Sequence, residues 1–330
     1  MIFHPAILAL LIGSLLIGFM LSYAAYHGLS ILRRWDLRSG SEVQLGLERR
    51  TYLISTLMAY SFGFQLLSLF LFIYTVDHLS PLFVGAMCAA GTLNVNPYGY
   101  PTFLLKVVNF ILGGLWLILN YADNRAYDYP LIKKKYGLLL FIIPLVIAEV
   151  ILQGKYFLGL KPDIITSCCG TLFTSEVQGV ASKIIVLPRH PVEIVFYASM
   201  TLTLILGVFS YIRRKAGYLF SLSSLVTFLI SIVALISFLC LYFYELPTHH
   251  CPFCILQREY YYAGYPIYFT LLGGAVSGMG VGLLMPFRGI KSLQDLLPPL
   301  QRNLTLASIF AYGLFTIIVI CQRIISTLKL

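Results

Sequence analysis

Charge is scarce in this chain of 330 residues: Asp, Glu, Lys and Arg together make up 11% of it, and only 13 residues are acidic. Soluble domains carry roughly 25% charged residues, so a water-soluble enzyme is excluded. Disorder and coiled coil fall on the same numbers, and collagen on the lack of any glycine period. The chain also lacks a folded basic domain or interleaved aromatic and basic residues, so its formal +10 charge is no sign of nucleic-acid binding. No C-x-x-C-H occurs, which excludes covalently attached haem. Of six histidines only His27 falls inside an apolar run, which argues against non-covalent haem. Repeats and low-complexity tracts are absent.

What the chain does have is apolar length. Hydrophobic residues make up 59%, and the mean hydropathy is +0.86. A spanning helix needs about 20 mostly apolar residues. Eight runs qualify, at roughly 6–32, 52–75, 102–120, 137–159, 192–212, 217–244, 260–286 and 304–322. The first is too long for a signal-peptide core and has no basic stretch before it, so it reads as a helix of the mature protein. The expected fold is an all-α, polytopic membrane bundle of eight helices. The division read from the sequence is a three-helix segment over 1–136 and a five-helix segment over 137–330.

Basic residues set an orientation. Arg33, Arg34, Arg38, Arg49 and Arg50 lie between runs one and two, and Arg125, Lys133, Lys134 and Lys135 between runs three and four. Arg213, Arg214 and Lys215 follow run five, and Arg288, Lys291 and Arg302 follow run seven. Five, four, three and three make 15 of the 23 Lys and Arg residues, all in alternate connections. The expectation is therefore a bacterial inner-membrane protein with both termini outward.

That topology sorts the seven cysteines. Cys88, Cys168, Cys169, Cys251 and Cys254 fall in outward segments, and Cys240 and Cys321 in the outer parts of their helices. In a bacterial cell the outward face is oxidising, where thiols can exist as disulfides. The sharpest local motif is His249-His250-Cys251-Pro252-Phe253-Cys254-Ile255-Leu256-Gln257-Arg258, read as opening the seventh helix. The positive end of a helix lowers the pKa of a leading cysteine, protonated histidines add to this, and the second cysteine resolves a mixed disulfide. Three readings stay open for the pair: a redox centre, a static pair, or part of a metal site. Cys168 and Cys169 are adjacent. Their Cα atoms lie about 3.8 Å apart, below the usual disulfide range of about 4.4–6.8 Å. Either they form a strained, easily reduced bond, or one of them pairs with a distant thiol such as Cys251 or Cys88, or they are two unpaired thiols in a loop, which an oxidising face disfavours.

The segment from Cys251 to Arg258 resembles the C-x-x-C-[IL]-x-x-R motif of the DsbB disulfide-bond-forming proteins. The order of parts over 137–286 is also similar to vitamin K epoxide reductases: a cysteine pair in an outward loop, two helices, then a C-x-x-C before the next helix. The resemblance implies a membrane thiol–disulfide oxidoreductase. In it Cys251 and Cys254 exchange electrons with a membrane quinone, Arg258 lies near the quinone head group, and Cys168 and Cys169 relay to a soluble thioredoxin-like partner. An alternative uses the same atoms: His249, His250, Cys251 and Cys254, with Cys168, Cys169 and Cys88, can supply a soft site for copper or zinc. A third is a non-catalytic subunit or assembly factor held among other membrane subunits.

Three further features carry expectations. Gly274, Gly278 and Gly282 form an i, i+4, i+8 stripe that lets a neighbouring helix approach closely. The G-x-G-x-G string it makes with Gly280 follows no strand and is no nucleotide loop. Lys106 and Glu149 lie inside apolar runs, where ionisable groups are costly. Lys106 can snorkel outward, whereas Glu149 is protonated, paired with Lys106, or facing a polar cavity. The tyrosines Tyr260, Tyr261, Tyr262, Tyr265 and Tyr268 read as an aromatic belt, with a ring-stacking quinone site as the alternative.

Overall fold

Every apolar run becomes a helix, because a chain in lipid must satisfy its backbone hydrogen bonds within each segment. The computed structural model describes residues 3–36, 41–161, 164–166, 180–214 and 216–328. Among these residues there is no strand. The main helices are α1 (Pro5–Arg34), α2 (Glu42–His78), α3 (Gly99–Arg125), α4 (Ile132–Leu158), α5 (Arg189–Arg213), α6 (Gly217–Tyr244), α7 (Gly264–Leu284) and α8 (Leu297–Ile325). All eight are long and apolar enough to cross a membrane. Their outer faces carry large apolar side chains, such as Phe19 at 74% and Phe269 at 66% exposure. Exposed apolar surface on this scale is what lipid covers, and the chain is an integral, multi-pass membrane protein.

Helix ends follow local chemistry. Pro5 opens α1, where its missing N–H costs nothing. Left-handed residues stop α5 at Arg214 (φ 54°) and α6 at Glu245 (φ 53°). Within α6 the backbone loosens into a π-helical turn over Leu235–Leu239, which alters the carbonyl pattern there.

The chain divides into two compact units: residues 1–75, 96–160 and 286–300 form one, and 76–95, 161–285 and 301–330 the other. In the first, α1, α3 and α4 pack with α2 around Trp116, Tyr136, Phe62, Leu139 and Ile142, all buried. Two ion pairs are sealed inside this unit. Lys106 Nζ lies 2.7 Å from Glu149 Oε1, and both side chains are 1% exposed. Gln65 and Asn109 each donate to Glu149 Oε2 at 2.6 Å, and Lys106 also reaches Ser68 Oγ at 3.3 Å. Lys106 therefore does not snorkel, and of the states open to Glu149 the pair with Lys106 is the one observed. The second pair joins Lys135 to Asp123 at 2.7 Å, and Lys135 donates further to Ser55 and Asn124. Asp123 also accepts the Leu131 N–H at 2.8 Å, which fixes the α3–α4 connection.

In the second unit α7 packs on α6, and α5 on α6. The glycine stripe of α7 makes this possible. A Cβ on Gly278 would lie 2.2 Å from Ser224 Oγ, and one on Gly282 would lie 2.4 Å from Ser221 Cβ. Gly274 faces the ring of Tyr312 on α8. The stripe is a packing surface, as its spacing implies.

Candidate sulfur centre

The cysteine motif is held by the residues around it. After Glu245 ends α6 the chain turns back, and Cys251 to Cys254 run into a short 3-10 turn (Cys254–Leu256) closed by Leu256 N–H to Phe253 O at 3.0 Å. A second 3-10 turn, Arg258–Tyr260, follows. Tyr261 and Tyr262 then adopt left-handed φ values of 53° and 55°, and α7 begins only at Gly264. The motif thus does not open the seventh helix, and two left-handed residues separate them. A helix field falls off within a turn, so it does not act on Cys251 from this distance.

Tyrosines fix the motif's backbone. Tyr244, the last residue of α6, donates its hydroxyl to Cys251 O and accepts the Ile255 N–H at 3.0 Å. Tyr268 on α7 donates to Pro252 O. Composition places Tyr268 in the interfacial belt, yet its hydroxyl serves the motif. His250 Nδ1 lies 2.9 Å from the carbonyl of Ile236, which belongs to the π-helical turn of α6. Because a carbonyl only accepts, Nδ1 carries the proton in this contact. Burial lowers the His250 pKa below the ordinary histidine value, which works against the positive charge that a protonated histidine would add beside the cysteines. His249 is placed differently: its Nε2 lies 3.4 Å from Cys254 Sγ, and its ring meets the edge of Tyr244 at 4.5 Å between centroids.

The third sulfur comes from far away in the chain. Cys88 Sγ lies 3.6 Å from Cys251 Sγ. The Sγ atoms of Cys88, Cys251 and Cys254 all lie within 4.8 Å of one another. Their residues are 0%, 0% and 5% exposed. No disulfide is closed among the described cysteines. Cys88, which the sequence division groups with the first three helices, belongs to the second unit with the motif.

The segment carrying Cys88 is built to present it. It leaves α2 through a 3-10 turn at Ser80–Leu82 and ends in a short helix, Ala89–Leu93, that is buried throughout. Asp77 accepts the Ala89 N–H at 2.9 Å. Gln257, three residues beyond Cys254, donates to Met87 O at 2.7 Å and reaches Asp77 Oδ1 at 3.4 Å. One side chain of the motif thus clamps both flanks of Cys88. Thr166 adds two bonds, from its N–H to Val84 O at 3.0 Å and from Oγ1 to Gly91 O at 2.8 Å. Gly85 (φ 88°) has no alternative, since a Cβ there would lie 2.2 Å from Thr166 O.

Arg258 is exposed at the start of its 3-10 turn. Among the described residues its guanidinium makes no hydrogen bond to any of the three cysteines. Cys168 and Cys169 lie outside the described residues. Cys321 is exposed on α8, and Cys240 is buried in α6. Sequence reasoning missed Asp77, Tyr244 and Gln257, and offered Cys88 as a distant partner for Cys168 or Cys169 or as an added metal ligand, not as the sulfur beside Cys251. Only Gln257 carried a local signal, by its place directly after the motif.

No protein-family model, no curated protein and no solved structure matches this chain.

Proposed function

We propose that this protein is a membrane thiol–disulfide oxidoreductase whose reacting groups are Cys88, Cys251 and Cys254, on the outward face of a bacterial inner membrane. The supporting observation is the 3.6 Å contact between Cys88 and Cys251, with Cys254 completing the cluster. Closing that contact to a disulfide of about 2.05 Å needs an approach of about 1.5 Å, within reach of a side-chain rotation. Cys251 then has two alternative partners, which is what an exchange reaction requires.

In the oxidising direction two thiols lose two electrons and two protons, the S–S bond forms, and a membrane quinone becomes the quinol. Reduction of the disulfide by quinol is the same step reversed. The burial of all three sulfurs keeps a soluble protein thiol from touching them directly. Exchange with a thioredoxin-like partner therefore runs through a further pair, and Cys168 with Cys169 is the pair the sequence offers. Arg258 stays the candidate for the quinone head group on the strength of the motif alone.

The test is anaerobic purification followed by alkylation and mass spectrometry, with and without added quinone. A reducible disulfide among Cys88, Cys251 and Cys254 that appears with quinone supports the proposal. Thiols that remain alkylatable after quinone addition reject it.

A further inference from the structure

We infer that the reduced centre is also a zinc site, with Cys88, Cys251 and Cys254 as thiolate ligands and His249 as the fourth. The inference shares its cysteines with the oxidoreductase reading but needs only that they can be reduced.

Spacing carries the argument. Tetrahedral zinc with Zn–S of about 2.3 Å and Zn–N of about 2.0–2.1 Å holds its sulfurs about 3.8 Å apart and sulfur from nitrogen about 3.6 Å apart. The protein places Cys88 Sγ 3.6 Å from Cys251 Sγ, and His249 Nε2 3.4 Å from Cys254 Sγ. The other two sulfur–sulfur separations, Cys88 to Cys254 and Cys251 to Cys254, are no more than 4.8 Å. Three sulfurs and one imidazole are a donor set that selects zinc over hard cations.

The surroundings are those of a preorganised site. Ligands hold an ion best when other groups hold the ligands. Tyr244 does this twice, through the Cys251 carbonyl and the edge contact with the His249 ring. Gln257 and Asp77 hold the backbone on both sides of Cys88. Of the two neighbouring histidines, His249 is the one that reaches a sulfur, with its Nε2 3.4 Å from Cys254 Sγ, whereas the contact His250 makes is from Nδ1 to Ile236 O. This assigns the fourth ligand to His249.

The two chemistries are linked. Oxidation of Cys88 and Cys251 to a disulfide removes two of the four ligands. A quinone that takes those two electrons, with two protons from water, becomes quinol and releases the ion. The site is therefore expected to hold zinc only in its reduced form.

The full chain, reduced anaerobically in detergent, is to be given Zn2+, desalted and analysed for metal, with Co2+ as a spectroscopic reporter. The expected result is about one zinc per chain and a Co2+ spectrum of a tetrahedral thiolate site. Cys88→Ser and His249→Ala are each expected to raise the zinc dissociation constant by about tenfold or more. Cys321→Ser, on the exposed part of α8, leaves it unchanged. A wild-type chain with all three thiols alkylatable before zinc addition but no zinc retained overturns the inference. Retention by Cys88→Ser equal to wild type does so as well, as does binding of Cu+ with no binding of Zn2+. If zinc binds but quinone never alters the thiols, the oxidoreductase reading fails alone. If quinone oxidises them and the reduced chain holds no zinc, this inference fails alone.

Discussion

Replacing Glu149 with alanine is expected to lower the stability of the first unit by about 3–5 kcal/mol, the cost of leaving a buried charge without its partner. Glu149 collects hydrogen bonds from Lys106, Gln65 and Asn109, and all four residues are buried. Without the carboxylate, the Lys106 ammonium keeps Ser68 at 3.3 Å and the face of Phe72 at 5.3 Å, and little else. The same physics predicts a much smaller loss for a paired change. Lys106→Met combined with Glu149→Leu removes both charges and restores most of the loss, since a buried ion pair is often no better than apolar packing of similar volume. Unfolding in mild detergent, followed by circular dichroism, measures both. A Glu149→Ala chain as stable as wild type would show that the pair is solvated and the account of this unit wrong.

Cys251→Ser is expected to uncouple the remaining thiols from the quinone. Cys251 is the sulfur in contact with Cys88 and the first cysteine of the motif that contains Cys254, so both proposed disulfides require it. After the change, the alkylation pattern of Cys88 and Cys254 should be the same with and without quinone, whereas the wild type responds. Serine keeps the side-chain shape and the Tyr244 bond is to the backbone carbonyl, so the loop itself is expected to stay in place. An unchanged response would remove Cys251 from the reaction.

Helix number and placement were legible because they follow from uninterrupted apolar length, which depends on no distant residue. The glycine stripe of α7 was legible for the same reason: three small residues on one helix face have one physical use. The Lys106–Glu149 pair was visible only as one option among several, because 43 residues separate its members. The centre was half legible. A C-x-x-C announces itself by spacing, whereas Cys88 stands 163 residues from Cys251, and nothing local marks it as a partner. The position of the motif relative to α7 was misread because the apolar and aromatic run from Tyr260 onward looks helical. Left-handed backbone at Tyr261 and Tyr262 delays the helix to Gly264. Tyr268 looked like a belt residue because composition gives the depth of a ring and not the partner of its hydroxyl.

The central claim is that Cys88 and the C-x-x-C form one centre, and the Cys254→Ser chain tests it most directly. With Cys254 removed, Cys251 has Cys88 as its nearest partner. Oxidation by quinone, digestion without reductant and mass spectrometry should then yield a peptide pair joined through Cys88 and Cys251. If Cys88 remains alkylatable while Cys251 is joined to Cys168 or Cys169, or if no disulfide forms at all, the three-sulfur centre is contradicted.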